Sequence, residues 1–129
     1  MTSIRKTGPV ETPWGTEIVW ASTDTHCGKI LVFSHVGATT PILFNKIKVK
    51  SWFVNSGNFA VRWIDVTTGE AKQRMLKEGD VFTSQPLQPH QLEALTTDCM
   101  IFESGTAEIE NDIFKLTSDS PVVTQPPEL

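Results

Sequence analysis

The chain has 129 residues, of which 39% are hydrophobic and 20% charged, and its formal net charge is −4. Those values describe one globular domain with a single core. The acidic balance excludes the basic surface that nucleic-acid binding requires and the polybasic patch that would hold the chain on a membrane.

The first ten residues, MTSIRKTGPV, are polar and broken by Gly8 and Pro9. They hold no apolar run of the length of a signal peptide or a membrane span, so the expected location is cytoplasmic. Turn-forming residues then recur at short intervals, from Gly15 through Gly28, Gly37, Gly57, Gly69 and Gly79 to Gly105. Between them lie short runs rich in Val, Ile, Phe, Trp and Thr, the pattern of an all-β sandwich or barrel. The runs predict strands over 17–22, 29–34, 41–45, 52–55, 59–66, 71–76, 80–84, 90–94 and 98–103.

Ser56-Gly57-Asn58 is read as a tight hairpin and Glu78-Gly79-Asp80 as a second turn. No window has a helical period long enough for a major helix, and 107–116 is read as at most one helical turn. Residues 117–129 carry Pro121, Pro126 and Pro127 and little apolar weight. They are read as a tail, disordered or extended along a partner. The domain therefore runs over 1–116.

Cys27 and Cys99 are far apart, form no zinc or disulfide pattern, and are expected in the core. The aromatic set comprises seven phenylalanines and the tryptophans Trp14, Trp20, Trp52 and Trp63, with no tyrosine. Most of these rings are expected inside, although Trp52 or Trp63 at a barrel mouth could stack a sugar or another flat ligand.

Two stretches resemble a known family. GATTPILFNKIKVKSWFVNSG (37–57) is similar to the first cupin motif and GDVFTSQPLQPH (79–90) to the second. The opening Pro13-Trp14-Gly15 and the later Ile101-Phe102-Glu103-Ser104 complete a resemblance to the mannose-6-phosphate isomerase-like cupins. The resemblance implies a double-stranded β-helix, or jelly-roll barrel, and a homodimer to which the segment 7–15 and an edge strand contribute.

Cupins of this group hold a divalent metal on two ligands of the first motif separated by one residue, then a Glu, and a His of the second motif. Here those positions fall on Leu43, Asn45, Lys50 and His90. Only His90 is a retained ligand, so the metal site is degenerate and no metal or other cofactor is expected. In the second motif Gln85 stands where a proline is common and Leu87 where a glycine is common. His26 and His35 stand alone in sequence and are read as surface or half-buried.

Two registers compete for residues 45–52. In the family register a loop follows Asn45, and Lys50, Trp52 and Val54 point inward. In one continuous strand Leu43, Asn45, Ile47 and Val49 point inward, and Lys46, Lys48 and Lys50 line a solvated face. An inward Lys50 would need a buried carboxylate or an anionic ligand.

The pocket candidates are thus Leu43, Asn45, Lys50, Trp52 and His90. His90 is also the one candidate for catalysis, with Asp65, Glu93 or Glu103 as orienting carboxylate. Three functions follow. The first is a metal-free barrel that binds a small organic or anionic molecule or serves a structural role. The second, implied by the resemblance, is an isomerase or epimerase acting on a phosphosugar or nucleotide sugar. The third is a protein–protein interaction module with a filled barrel.

Overall fold

The computed structural model describes residues 6–117 as eleven strands, with no helix among them. Among these residues no helix is long and apolar enough to cross a membrane. The strands are β1 (Gly8–Thr12), β2 (Gly15–Ser22), β3 (Cys27–Phe33), β4 (Leu43–Asn45), β5 (Lys50–Ser56), β6 (Phe59–Ile64), β7 (Ala71–Leu76), β8 (Val81–Ser84), β9 (His90–Ala94), β10 (Met100–Gly105) and β11 (Ile113–Lys115). They form two antiparallel sheets, ordered β1-β2-β3-β10-β5-β8 and β11-β4-β9-β6-β7. Two such sheets facing each other make the jelly roll that the sequence predicts.

Each of the nine predicted runs overlaps a strand. Two strands were not expected. β1 lies in the segment read as an arm toward a partner, yet it pairs with β2 of its own chain, Gly8 opposite Val19 and Thr12 opposite Gly15. β11 replaces the predicted helical turn: it pairs with β4, and Phe114 stacks on Phe44 with ring centroids 5.1 Å apart. The tail beyond residue 117 lies outside the described residues.

The turn at Ser56-Gly57-Asn58 is present, with Gly57 at φ 80°, but it is not a hairpin. β5 pairs with β10 and β8, while β6 pairs with β7 and β9, so the turn carries the chain from one sheet to the other. The apolar strands on either side face each other across the sandwich instead of pairing. A Cβ at Gly57 would stand 2.5 Å from Cys99 Sγ and 3.0 Å from its Cα, so only glycine passes this point. The turn at Gly79 also takes positive φ, 88°, before β8.

The inward faces of the strands grade from apolar to polar along the barrel. At one end Phe33, Val54, Phe59, Ala94, Cys99 and Ile101 are buried together, with Phe33 and Phe59 in an edge contact at 5.0 Å. Two residues further along β5 and β10, and four along β3, pairing sets Lys29 opposite Glu103 and Glu103 opposite Trp52. Strand alternation returns these side chains to the same interior, so the polar row continues the core and does not face solvent.

Both cysteines are buried and free. Trp14 and Trp52 are buried and Trp63 packs against the core. Trp20 differs from the core expectation: it is 60% exposed and lies flat over Gly28 on the outer face.

Candidate ligand pocket

The polar end of the barrel encloses a cavity of about 320 Å³. Leu43, Asn45, Lys50, Trp52 and His90 all line it, and so does Glu103. β4 brings Leu43 and Asn45 to one side, β5 brings Lys50 and Trp52 to the other, and β9 places His90 opposite Leu43.

The register of 45–52 follows the family pattern. β4 stops at Asn45, a bend covers Lys46 and Ile47, and β5 begins at Lys50. Trp52 and Val54 are buried while Phe53 and Asn55 are exposed. The continuous-strand alternative fails because Ile47 is 40% exposed and Lys48 only 3%. Asp112 is the physical cause. Its buried carboxylate accepts the backbone N–H of Ile47 at 2.7 Å and of Lys48 at 3.1 Å, which bends the chain and turns Lys48 inward. Gly105 makes room, since a Cβ there would lie 2.9 Å from Lys48 Cε and from the Val49 carbonyl.

Lys48 therefore joins a buried ion network instead of a solvated face. Its Nζ lies 2.7 Å from Glu108 Oε1 and 3.7 Å from Glu103 Oε2. Lys29 bridges Glu17 and Glu108. Trp52 donates its indole N–H to Glu103 Oε1 at 2.8 Å. Burial alone would raise both carboxyls, but Lys50, Lys29 and Lys48 around Glu103 hold it below its ordinary value. Lys29 and Lys48 hold Glu108 down to about 2. The sequence points to Glu103, Lys50 and Trp52 and expects Lys48 on a solvated face. It does not single out Lys29 on β3 or Glu108 between β10 and β11, because no local motif joins them.

His90 is 3% exposed, and its ring meets Trp52 edge-on at 5.3 Å. Nδ1 lies 2.8 Å from the Gln88 carbonyl and 3.1 Å from Ser84 Oγ. A carbonyl only accepts, so Nδ1 carries the hydrogen and Nε2 keeps a lone pair. Burial, and then the Lys50 charge, press the His90 pKa down to about 3, so the imidazole is neutral at physiological pH. Among the described residues Nε2 has no hydrogen-bond partner, and neither has Oδ1 of Asn45, which is 4% exposed. Buried acceptors are ordinarily paired, so these two stand apart from the other polar groups of the cavity wall.

Lys50 points into the same cavity. Its Nζ sits 5.6 Å from the Trp52 ring centroid, and among the described residues no carboxylate lies within ion-pair distance. Burial lowers its pKa from 10.5; Glu103 opposes that shift, and Lys48 and Lys29 add to it.

The other sequence candidates lie elsewhere. Glu93 pairs with Arg62 at 2.7 Å and Asp65 with Lys72 at 3.5 Å, so Glu103 is the one proposed orienting carboxylate that reaches the cavity. His26 and His35 are exposed.

The divalent metal that the cupin resemblance implies does not fit these residues. Leu43 has no donor atom, and the Lys50 ammonium faces the place the cation would occupy. Asn45 Oδ1 and His90 Nε2 leave only two neutral donors. Among the described residues no group of three or more His, Cys, Asp or Glu side chains is placed to hold a metal ion.

No family model matches the chain, and no curated protein does. Solved structures do. KdgF from Halomonas sp. superposes with a TM-score of 0.62 at 20% identity, covering 74% of this chain and 82% of that one. Oxalate decarboxylase from Bacillus subtilis gives 0.72 at 18% identity over 90% of this chain, which spans only 33% of that enzyme. The Schizosaccharomyces pombe Cnp3 cupin domain gives 0.62 at 10% identity, covering 72% and 64% of the two chains. At these identities the likeness is one of fold: the chain folds as a jelly roll of the cupin type.

Proposed function

We propose that the protein is a binding barrel that holds one small polar molecule without a metal. The observation that carries this reading is the pair of orphaned acceptors, Asn45 Oδ1 and His90 Nε2, beside the Lys50 ammonium in an open cavity. A scaffold with a filled barrel would have closed the space with Leu43 and its neighbours. The volume stands at the small end of ligand pockets, which span roughly 300–1,000 Å³. It suits a single small molecule better than a nucleotide sugar.

The His90 environment favours binding over acid–base catalysis. Its Nδ1–H donates to a carbonyl and not to a carboxylate, and a ring with a pKa near 3 is a hydrogen-bond acceptor more than a general base. The test is an NMR titration of the full chain with a panel of small sugars, polyols, carboxylic acids and amino acids. At least one compound should shift the Trp52 indole N–H and the His90 ring signals. If every compound leaves those signals unmoved in the folded protein, the reading is wrong.

A further inference from the structure

Accepting that the barrel is a binding pocket, we infer that its ligand class is a small hydroxy-carboxylate monoanion, its carboxylate against Lys50 Nζ and its hydroxyls donating to His90 Nε2 and Asn45 Oδ1. The inference rests on what each wall group lacks.

The three interior lysines are not equivalent. Lys29 and Lys48 are each engaged by two carboxylates. Lys50 lies over the Trp52 ring, and among the described residues no carboxylate is within ion-pair distance of its Nζ. An ammonium lining a cavity in this way is stabilised by an arriving anion through charge-assisted hydrogen bonds. The two orphan atoms ask for the opposite. Nε2 of His90 and Oδ1 of Asn45 can only accept, so the ligand must bring hydrogen-bond donors. Hydroxyl groups supply them without charge, whereas a second ammonium would repel Lys50.

The charge is limited to one. Lys29, Lys48, Lys50 and Lys115 line the cavity with Glu11, Glu17, Glu103 and Glu108, four charges against four. A single carboxylate beside Lys50 is accommodated. The second charge of a phosphate monoester would lie against Glu103 and Glu108, whose own countercharges Lys29 and Lys48 already supply.

Three probes with six carbons separate the parts: D-gluconate, D-glucitol and hexanoate, titrated into the full chain by calorimetry. Gluconate carries both groups, glucitol only the hydroxyls, hexanoate only the charge. Gluconate should bind at least tenfold tighter than either of the others. Lys50→Met should reduce gluconate to the level that glucitol shows in the same variant. Equal binding of gluconate and glucitol to the native chain overturns the charge requirement, and equal binding of gluconate and hexanoate overturns the hydroxyl requirement. Neither comparison depends on a variant folding. If all three fail while another panel compound shifts Trp52, the ligand class is wrong and the pocket stands. If nothing in the panel reaches Trp52, the pocket itself is refuted.

Discussion

Leu43 and His90 are direct partners across β4 and β9, and theirs is the one residue pair joining those two strands. An apolar side chain at a metal-donor position of the cupin pattern therefore faces the imidazole that the pattern retains. Asn45, two residues along β4, opens on the same cavity, as does Lys50.

That adjacency makes the metal pattern restorable. The variant Leu43→His, Asn45→His, Lys50→Glu should bind one Zn(II) or Ni(II) per chain, with His90 as fourth donor. Elemental analysis after dialysis against either metal reads the outcome. A folded triple variant that takes up no metal would show that the four side chains do not converge.

The buried ion network predicts an asymmetric cost. Lys48→Met leaves Glu108 and Glu103 short of a cation in the interior and should destabilise the fold by about 3–5 kcal/mol. Adding Glu108→Gln should recover part of that loss, because Lys29 still has Glu17. Urea unfolding of the single and double variants measures both. A cost below about 1 kcal/mol for Lys48→Met would mean that the network is solvated.

Acid should weaken the protein in two stages. His90 has a folded pKa of about 3 against an ordinary 6.5, so the unfolded chain binds its proton first. Stability falls as pH drops from 6.5 toward 3, by an amount on the order of 3–5 kcal/mol. Glu108 and Glu103 sit below their ordinary 4.5, so their contribution is complete above that value and fades as pH falls toward their folded values. His90→Gln should flatten the stability profile between pH 6.5 and 4.5 and leave the lower limb. An unchanged upper limb would remove His90 from this role.

Proton linkage offers a check on the carboxylate. The free Lys50 pKa is lowered, with Glu103, Glu108, Lys29 and Lys48 as the charges around it. An anion at its Nζ raises it again, so gluconate binding on the alkaline side should take up protons. Binding enthalpies measured in buffers of different ionisation heat at pH 9 should diverge in the native chain and converge in Lys50→Met.

Leu87 holds a left-handed backbone, φ 64°, while its side chain is 53% exposed. Its N–H donates to the Asn45 carbonyl at 2.7 Å, which fixes the turn beside the pocket. A leucine in this conformation costs about 1–2 kcal/mol, and glycine offsets part of that with its greater unfolded freedom. Leu87→Gly should therefore raise the melting temperature by a few degrees. A lower melting temperature would mean that the exposed leucine side chain makes a contact worth more than the strain.

The strand pattern was legible because short β-branched and aromatic runs between glycines have few other solutions. The pocket positions were legible through motif spacing, since alternate residues of β4 and β5 must share a face. The bend at Lys46 and Ile47 was not, because its cause is Asp112, more than sixty residues later. The same distance hid the partnership of Lys29, Lys48 and Glu108. Each looks like an ordinary surface charge until β3 and the segments that follow β4 and β10 are brought together. Glycine 57 was read correctly as a turn and wrongly as a hairpin, since positive φ reports the bend and not which sheet receives the next strand.

The gradient along the barrel separates two jobs within one small molecule. Phe33, Val54, Phe59 and Ile101 close one end with dry contacts that do not involve the cavity. Substitutions at Leu43, Asn45 and Lys50 act at the other end, where the space is already open and polar. A chain built this way can change the lining of its cavity at three or four side chains, while the apolar end is left untouched.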